Sequence, residues 1–327
     1  MSTLHVVTGA GPVGWTVATR LADRGDRVRL LTRSGSGPDH PAIERRRVDV
    51  SVPGALDDAL TGASAVFHCT HGSAYSAAAW RRELPATEAA VLEAAGRTGA
   101  VVVFPESLYS YGPVDGPITE DTPRTATTGK PGVRAELLRA REQSATPTVS
   151  VAASDFFGPH ALTAHGGERM VATLLAGRRI RAMGALDVPH SFTYVPDLAA
   201  AMIAAADDRD LWNSVLHAPT GPAVTQRQLV QAFADAAGIA DPKVGVLPGW
   251  ALRAVGRVHG PTRELAEMLY QFERPFVLDS SRSEHALGLT PTPLAEAAAT
   301  TVAWWRDRLS APVAVGSGGG QHAGGQH

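Results

Sequence analysis

The chain has 327 residues, 44% of them apolar, and a formal net charge of −2. That length holds two domains or one large one, and the interspersed charges argue against a nucleic-acid surface or a charged interaction tail. A single cysteine, Cys69, excludes a disulfide framework and a thiolate metal site. No apolar run approaches the ~18 residues of a membrane helix, and the N-terminus lacks a secretory pattern, so a cytoplasmic protein without membrane contact is expected.

Residues 4–9, LHVVTG, read as a strand ending in glycine. Val13, Val17 and Leu21 then recur at helical spacing up to Gly25. A second strand covers 27–33, a short third lies within 42–51, and a helix follows at 54–62. Residues 63–70 are a buried strand, 80–99 a long amphipathic helix with a glycine stop, and 100–107 another buried strand. Strands alternating with helices at this spacing imply a parallel sheet covered on both faces. A long Gly/Pro/Thr-rich loop over 109–132 leads to a helix (133–144) and a strand (147–154). Loops of that length in compact domains are usually functional or mobile. Further helices read at 197–208, 225–238 and 294–309, and the low-complexity tail 311–327 is expected to be disordered.

The segment TGAGPVG (8–14) places G-x-G-x-x-G at Gly9, Gly11 and Gly14, between a strand and a helix. The first glycine makes the tight turn, the second admits a pyrophosphate to the backbone, and the third packs helix against strand. The helix N-terminus then meets the phosphates with free N–H groups. The second strand ends in Thr32, Arg33 and Ser34, with no carboxylate to hold a ribose 2′-hydroxyl. A guanidinium at Arg33 suits a 2′-phosphate, which favours NADP over NAD. Asp49, in VDVS, suits the adenine amino group or a simple turn.

At this point the chain resembles the extended short-chain dehydrogenases/reductases, the NAD-dependent epimerase/dehydratase family. The resemblance rests on VTGAGPVG, VDVS, AVFHCT, FPESLYSYGP, ASDFFGPH and HSFTYVPDLAAAM and covers roughly residues 4–309. The shorter glycine spacing is similar to that of atypical members. The resemblance implies an α/β fold: a Rossmann-like doubly wound parallel sheet over 1–158, with a smaller mixed C-terminal substrate domain over 159–310. About 188–215 is expected to return to the first domain. It also implies cofactor contacts from Pro12, Val13, Val50, Cys69 and Thr70, and a homodimer is a possible assembly.

In the family a serine after the fifth strand polarises a substrate carbonyl, and Ser107 occupies that place. The catalytic Tyr-x-x-x-Lys pair should precede a recurrent glutamate. Aligned on Glu136, the tyrosine position is Thr128 and the lysine position Gly132. Both catalytic groups are missing. The chain has only two lysines, Lys130 and Lys243, and Lys130 stands two residues off register. It is either a replacement cation, as is Arg134, or an exposed loop lysine. The missing proton donor is sought among Tyr109, Tyr111, Tyr194 and His190. Asp155, Phe156, His190 and Tyr194 are the candidate substrate contacts, and His71 lies near the cofactor by position. The helical stripe Leu265, Met268, Leu269 and Phe272 reads as core or subunit contact.

Three functions follow as expectations. The first is an NADP-dependent oxidoreductase acting on a small carbonyl or alcohol through a non-standard proton donor. The second is a non-redox isomerase, dehydratase or cyclase that retains the nucleotide. The third is a catalytically degraded NADP-binding sensor.

Overall fold

The computed structural model describes residues 2–52 and 54–311. The expected disorder of the tail concerns residues 312–327, which lie outside the described residues. The first layer is built from β1 (Leu4–Thr8), α1 (Pro12–Asp23), β2 (Arg27–Thr32), β3 (Ile43–Arg47), α2 (Asp57–Leu60), β4 (Ala65–His68), α3 (Ala77–Thr98), β5 (Val101–Ser107), α4 (Gly129–Glu142) and β6 (Thr148–Ala153). The chain then leaves through β7 (Asp155–Phe157), α5 (Thr173–Leu175), β8 (Ile180–Met183) and β9 (Phe192–Tyr194). It returns to the first layer with α6 (Val195–Asp207) and β10 (Ser214–His217). The remainder is α7 (Gln226–Ala237), β11 (Val244–Leu247), α8 (Gly249–Gly256), α9 (Gly260–Glu267), α10 (Tyr270–Glu273), α11 (Ser281–Leu287) and α12 (Leu294–Ser310).

Seven parallel strands form the central sheet in the order β3-β2-β1-β4-β5-β6-β10. This is the Rossmann-like doubly wound sheet expected from the strand–helix alternation. Side chains alternate across a strand, so a strand covered on both sides must be apolar at consecutive positions. The neighbours Val6/Val7, Leu30/Leu31, Val66/Phe67 and Val102/Val103 divide accordingly. Val7, Leu30, Phe67 and Val103 pack with Val17 and Leu21 of α1 and Leu198 and Met202 of α6. Val6, Leu31, Val66 and Val102 pack with Leu60, Val91 and Ala95 on the other face. A separate core around Phe157, Met170, Phe233 and Trp305 holds the C-terminal elements. Strand order reverses between β1 and β4, so the crevice at their C-terminal ends is the topological switch point where ligands bind in such sheets.

Element ends differ from the sequence reading in physically explicable ways. The helix expected from 133 begins at Gly129. Pro131 is tolerated there because the first turn has no N–H partner to lose. The helix expected at 54–62 contracts to the single turn of α2, with Gly54 and Gly62 both at positive φ.

Candidate active site

The glycine turn sits at the switch point. Gly9 adopts φ +86°, and a Cβ there would lie 2.9 Å from the Cys69 carbonyl oxygen. A Cβ at Gly14 would strike the Gly9 carbonyl and approach the Cys69 side chain. Only Gly11 faces open space. The first and third glycines are thus required by packing, and the second leaves backbone bare for a ligand. The turn is pinned by Gly9 N–H donating to Leu31 O (2.8 Å) and Cys69 N–H donating to Thr8 O (2.9 Å). Helix α1 follows with no side-chain cap and no acidic residue in its first turn. Its free N–H groups and dipole suit a pyrophosphate. The cradle therefore fits a dinucleotide.

The rim of this cradle is cationic. Arg33 is exposed just past β2, and Thr32 pairs in register with Arg47 at the end of β3. Among the described residues neither arginine forms an ion pair, whereas Arg45 and Arg46 beside them do. The Ser34 hydroxyl shapes the connecting turn through Ser36. Asp49 is exposed and within reach of the Arg33 charge. Hydrogen bonds from Ser51 hold its carboxyl below the usual carboxylate range.

Ser107 ends β5 at the same edge of the sheet. Its N–H and hydroxyl both donate to Glu106 Oε1, at 2.7 and 3.3 Å. Glu106 is anchored from behind, where Arg141 donates to Glu106 Oε2 (2.8 Å) and forks onto both oxygens of Glu88 (2.7 and 2.8 Å). All three side chains are buried. Arg134 adds a fourth charge, 3.5 Å from Glu106 and 4.8 Å above the Trp80 ring.

The start of α4 has no room for a side chain at Gly132, the position expected from the resemblance to hold a lysine. A Cβ at Gly132 would lie 2.5 Å from the Thr127 carbonyl carbon and 2.7 Å from its oxygen. No side chain fits there. Lys130 is completely buried. Its ammonium donates to Glu264 Oε2 (2.6 Å), Glu267 Oε2 (2.5 Å) and the Glu264 carbonyl (2.8 Å), and lies 4.7 Å from the centre of the Tyr75 ring. Glu264 also accepts from the first N–H of α3, at Ala77 (3.3 Å). One lysine and two carboxylates thus join α3, α4 and α9.

Beside this junction lies an aromatic and acidic cleft. The Tyr75 and Tyr109 hydroxyls are 2.9 Å apart, and the Tyr109 ring stacks parallel to Trp80. His71 meets Trp80 edge-on. Burial pushes His71 down to about 4, so it is neutral. Burial pushes the Tyr109 phenol well above its ordinary value, with the charges of Tyr75 and Asp155 adding to the effect. Tyr270 is pushed up to about 12, again chiefly by burial. Asp155 opens β7, and its Oδ2 lies 2.8 Å from His190 Nε2. Burial opposes its ionisation, but the His190 hydrogen bond and charge outweigh that, and the carboxyl stays below its usual range. His165 donates from Nε2 to Gln226 Oε1 (2.7 Å). The amide is oriented by its own donation to the Met183 and Ala185 carbonyls.

Comparison with known proteins decides the family. The model of the NAD dependent epimerase/dehydratase family matches residues 5–214. The chain belongs to that family. Sequence comparison with curated proteins finds no match. Among solved structures, the fold matches the Bordetella bronchiseptica enzyme WbmH in complex with NAD+ (TM-score 0.72, 21% identity, 94% of this chain and 99% of that one). It also matches the UDP-glucose 4-epimerase of Thermotoga maritima with UDP-glucose (0.76, 19%, 94% and 100%). A third match is the UDP-N-acetylglucosamine 4-epimerase of Methanobrevibacter ruminantium in complex with UDP-N-acetylmuramic acid (0.74, 20%, 94% and 99%).

Within this epimerase/dehydratase fold the residues singled out from sequence separate. Gly9, Gly11, Pro12, Val13, Gly14, Arg33, Ser34, Asp49, Val50, Cys69 and Thr70 surround the turn, although Cys69 contributes by packing and burial raises its thiol far above reactivity. Ser107, Tyr109, Asp155 and His190 lie at the C-terminal edge of the sheet and the elements beyond it. Phe156 packs partly against the core below α1 and α6. Three expectations need correction. Tyr111 is 1% exposed and bonded to His217 Nε2 (2.9 Å), so it is a buried structural phenol. Tyr194 is buried against Phe157 and Gly158 in the C-terminal core. Lys130 is neither an exposed loop lysine nor a free cation, because both carboxylates of α9 hold it.

The sequence reading missed Tyr75, Trp80, Glu264, Glu267, Tyr270 and His165. A signal was present for part of this set. In PTRELAEMLYQF the apolar stripe is core, since Met268, Leu269 and Phe272 are buried. Off this stripe, Glu264 and Glu267 of α9 reach Lys130, and Tyr270 opens α10.

Proposed function

We propose that the protein is an NADP-dependent oxidoreductase acting on a carbonyl or alcohol group of a small molecule. The observation that carries this reading is the intact glycine cradle, rimmed by Arg33 and Arg47, with no carboxylate at the end of β2. Gly11 and the first turn of α1 hold the pyrophosphate, and Arg33, with Arg47 beside it, takes the 2′-phosphate as a fork. When bound, the dinucleotide supplies or accepts a hydride. Ser107, fixed by Glu106, orients the substrate oxygen. Trp80, Tyr75 and Tyr109 wall the cleft and keep water from the reacting carbon. Thr128 and Gly132 supply no acid, so the accompanying proton comes from another group.

A second reading keeps the nucleotide without net redox change, as in an isomerase or dehydratase. It is favoured by the 4-epimerases among the matching structures. One experiment separates the two. Candidate carbonyl compounds are incubated with the protein and NADPH, and product is compared with NADPH consumed. One equivalent consumed per product is expected of the oxidoreductase. Turnover with constant nicotinamide absorbance would replace it with the second reading. Ser107→Ala is expected to lower either rate at least tenfold.

A further inference from the structure

The missing tyrosine leaves the proton unassigned, and the cleft offers few groups able to carry it. Tyr109 and Tyr270 are both pushed toward the neutral phenol. In this family's usual arrangement a lysine does the reverse to its tyrosine, but here Lys130 is spent on Glu264 and Glu267. His71 and His165 are both held down by burial first of all, and the one hydrogen-bond partner of His165 fixes its Nε2 as a donor.

His190 differs. Its side chain is 1% exposed, and its ring is stacked on Phe272 (4.8 Å, 13°) and Phe276 (5.6 Å, 25°). Its backbone is fixed by reciprocal hydrogen bonds with Val224. Nδ1 lies 2.9 Å from the Gln271 carbonyl oxygen, which can only accept, so Nδ1 must carry hydrogen. Nε2 lies 2.8 Å from Asp155 Oδ2, a distance that requires a second proton on that link. The pair therefore holds one structural proton and one mobile one. Asp155 is the open end, with 19% of its side chain exposed, and among the described residues its Oδ1 accepts no hydrogen bond. Its charge reaches Tyr75, Tyr109 and Tyr270.

We propose that the Asp155–His190 pair is the proton donor and acceptor of the reaction, with Asp155 meeting the substrate oxygen and His190 positioning it and storing the proton. This rests on the oxidoreductase reading. In reduction, with a reduced dinucleotide bound to supply hydride to the carbonyl carbon, the carbonyl π pair takes a proton from the Asp155 carboxyl. That carboxyl O–H bond forms with the Nε2 proton that His190 passes to Oδ2, and it breaks in the transfer. The pair is left one proton short, with Asp155 ionised and His190 neutral, and water restores it. Oxidation runs the same transfers backwards. Tyr75, Tyr109 and Tyr270 serve as neutral hydrogen-bond donors to the substrate.

The test uses the full chain, labelled with 15N-histidine and saturated with NADP+, followed by imidazole NMR. Expected is a His190 ring with protonated Nδ1 and a strongly hydrogen-bonded Nε2, and collapse to a simple neutral Nδ1–H ring in Asp155→Asn. A bare, unbonded Nε2 in the wild-type protein, or an Nε2 signal indifferent to Asp155→Asn, would overturn the proposal. Should Asp155→Asn fold poorly, His190→Gln is the second variant. It is expected to shift the acid limb of the turnover profile while NADPH affinity stays within about twofold, and an unmoved limb counts against the proposal. In the NADPH-consumption assay Asp155→Asn is expected to lose roughly 10²-fold or more, the usual worth of a general acid. Failure of the unmodified protein to bind NADP+ would sink the oxidoreductase reading, a result distinct from a silent His190.

Discussion

The two halves of this cleft are built by different rules. The cofactor half is a contiguous run, Thr8 to Gly14, whose first and third glycines, Gly9 and Gly14, are demanded by close contacts with Cys69 and with each other. The half proposed to take the substrate is assembled from Tyr75, Tyr109, Lys130, Asp155, His190 and Glu264, which lie far apart in the sequence. A backbone cradle tolerates little change, whereas a side-chain constellation can be rewired. Here Gly132, the position expected to hold the family's lysine, is closed by the Thr127 backbone, and Lys130, two residues earlier, is held by Glu264 and Glu267.

Substitutions probe that contrast, the largest effect falling on the cradle. Gly14→Val drives a side chain into the Gly9 carbonyl and is expected to abolish NADPH binding in a fluorescence titration. Retained binding would mean that the turn does not hold the cofactor. Next comes the buried network behind Ser107. Arg141→Met strands Glu88 without a partner and leaves Glu106 only Arg134 and Ser107, and is expected to cost roughly 3–5 kcal/mol in denaturant unfolding. A loss below about 1 kcal/mol, the worth of an ordinary neutral hydrogen bond, would show that the network is not closed to water.

Lys130→Met sharpens the comparison. Its glutamates are partly exposed and can turn toward water, so a smaller loss of roughly 1–3 kcal/mol is expected. NADPH affinity should stay within about twofold. A fall of tenfold or more, about 1.4 kcal/mol, would return Lys130 to the nicotinamide ribose.

The smallest effect is a pH dependence. Asp155 is held below its unfolded value, near 3.9, so it stabilises the native state above that value. The contribution disappears as pH falls through the depressed folded value. The unfolding curves of the wild-type protein and Asp155→Asn should therefore differ above about pH 4 and converge in stronger acid. A gap that widens in acid would mean that His190 does not stabilise the ionised carboxylate.

Much of the fold could be read from the chain because both faces of the sheet are covered. Strands such as Val101–Phe104 are then uninterrupted apolar runs, and Gly25 and Gly99 mark the helix ends. The cofactor turn was legible for a related reason, since its function is encoded in adjacent backbone. The cleft was much less so. That Tyr111 bonds to His217 while Tyr109 meets Tyr75 depends on how the one turn of 3-10 helix after β5 directs its side chains. The burial of Lys130 depends on α9, more than 130 residues later. Spacing within the loop before α4 carries no information about either partner.

The most direct test of the account is a pair of fluorescence titrations, with NADPH and with NADH, on the wild-type protein and on Arg33→Ser. Tighter binding of NADPH is expected, with a loss of about tenfold, near 1.4 kcal/mol, for NADPH alone when Arg33 is removed. Equal affinity for both nucleotides, unchanged by Arg33→Ser, would contradict it.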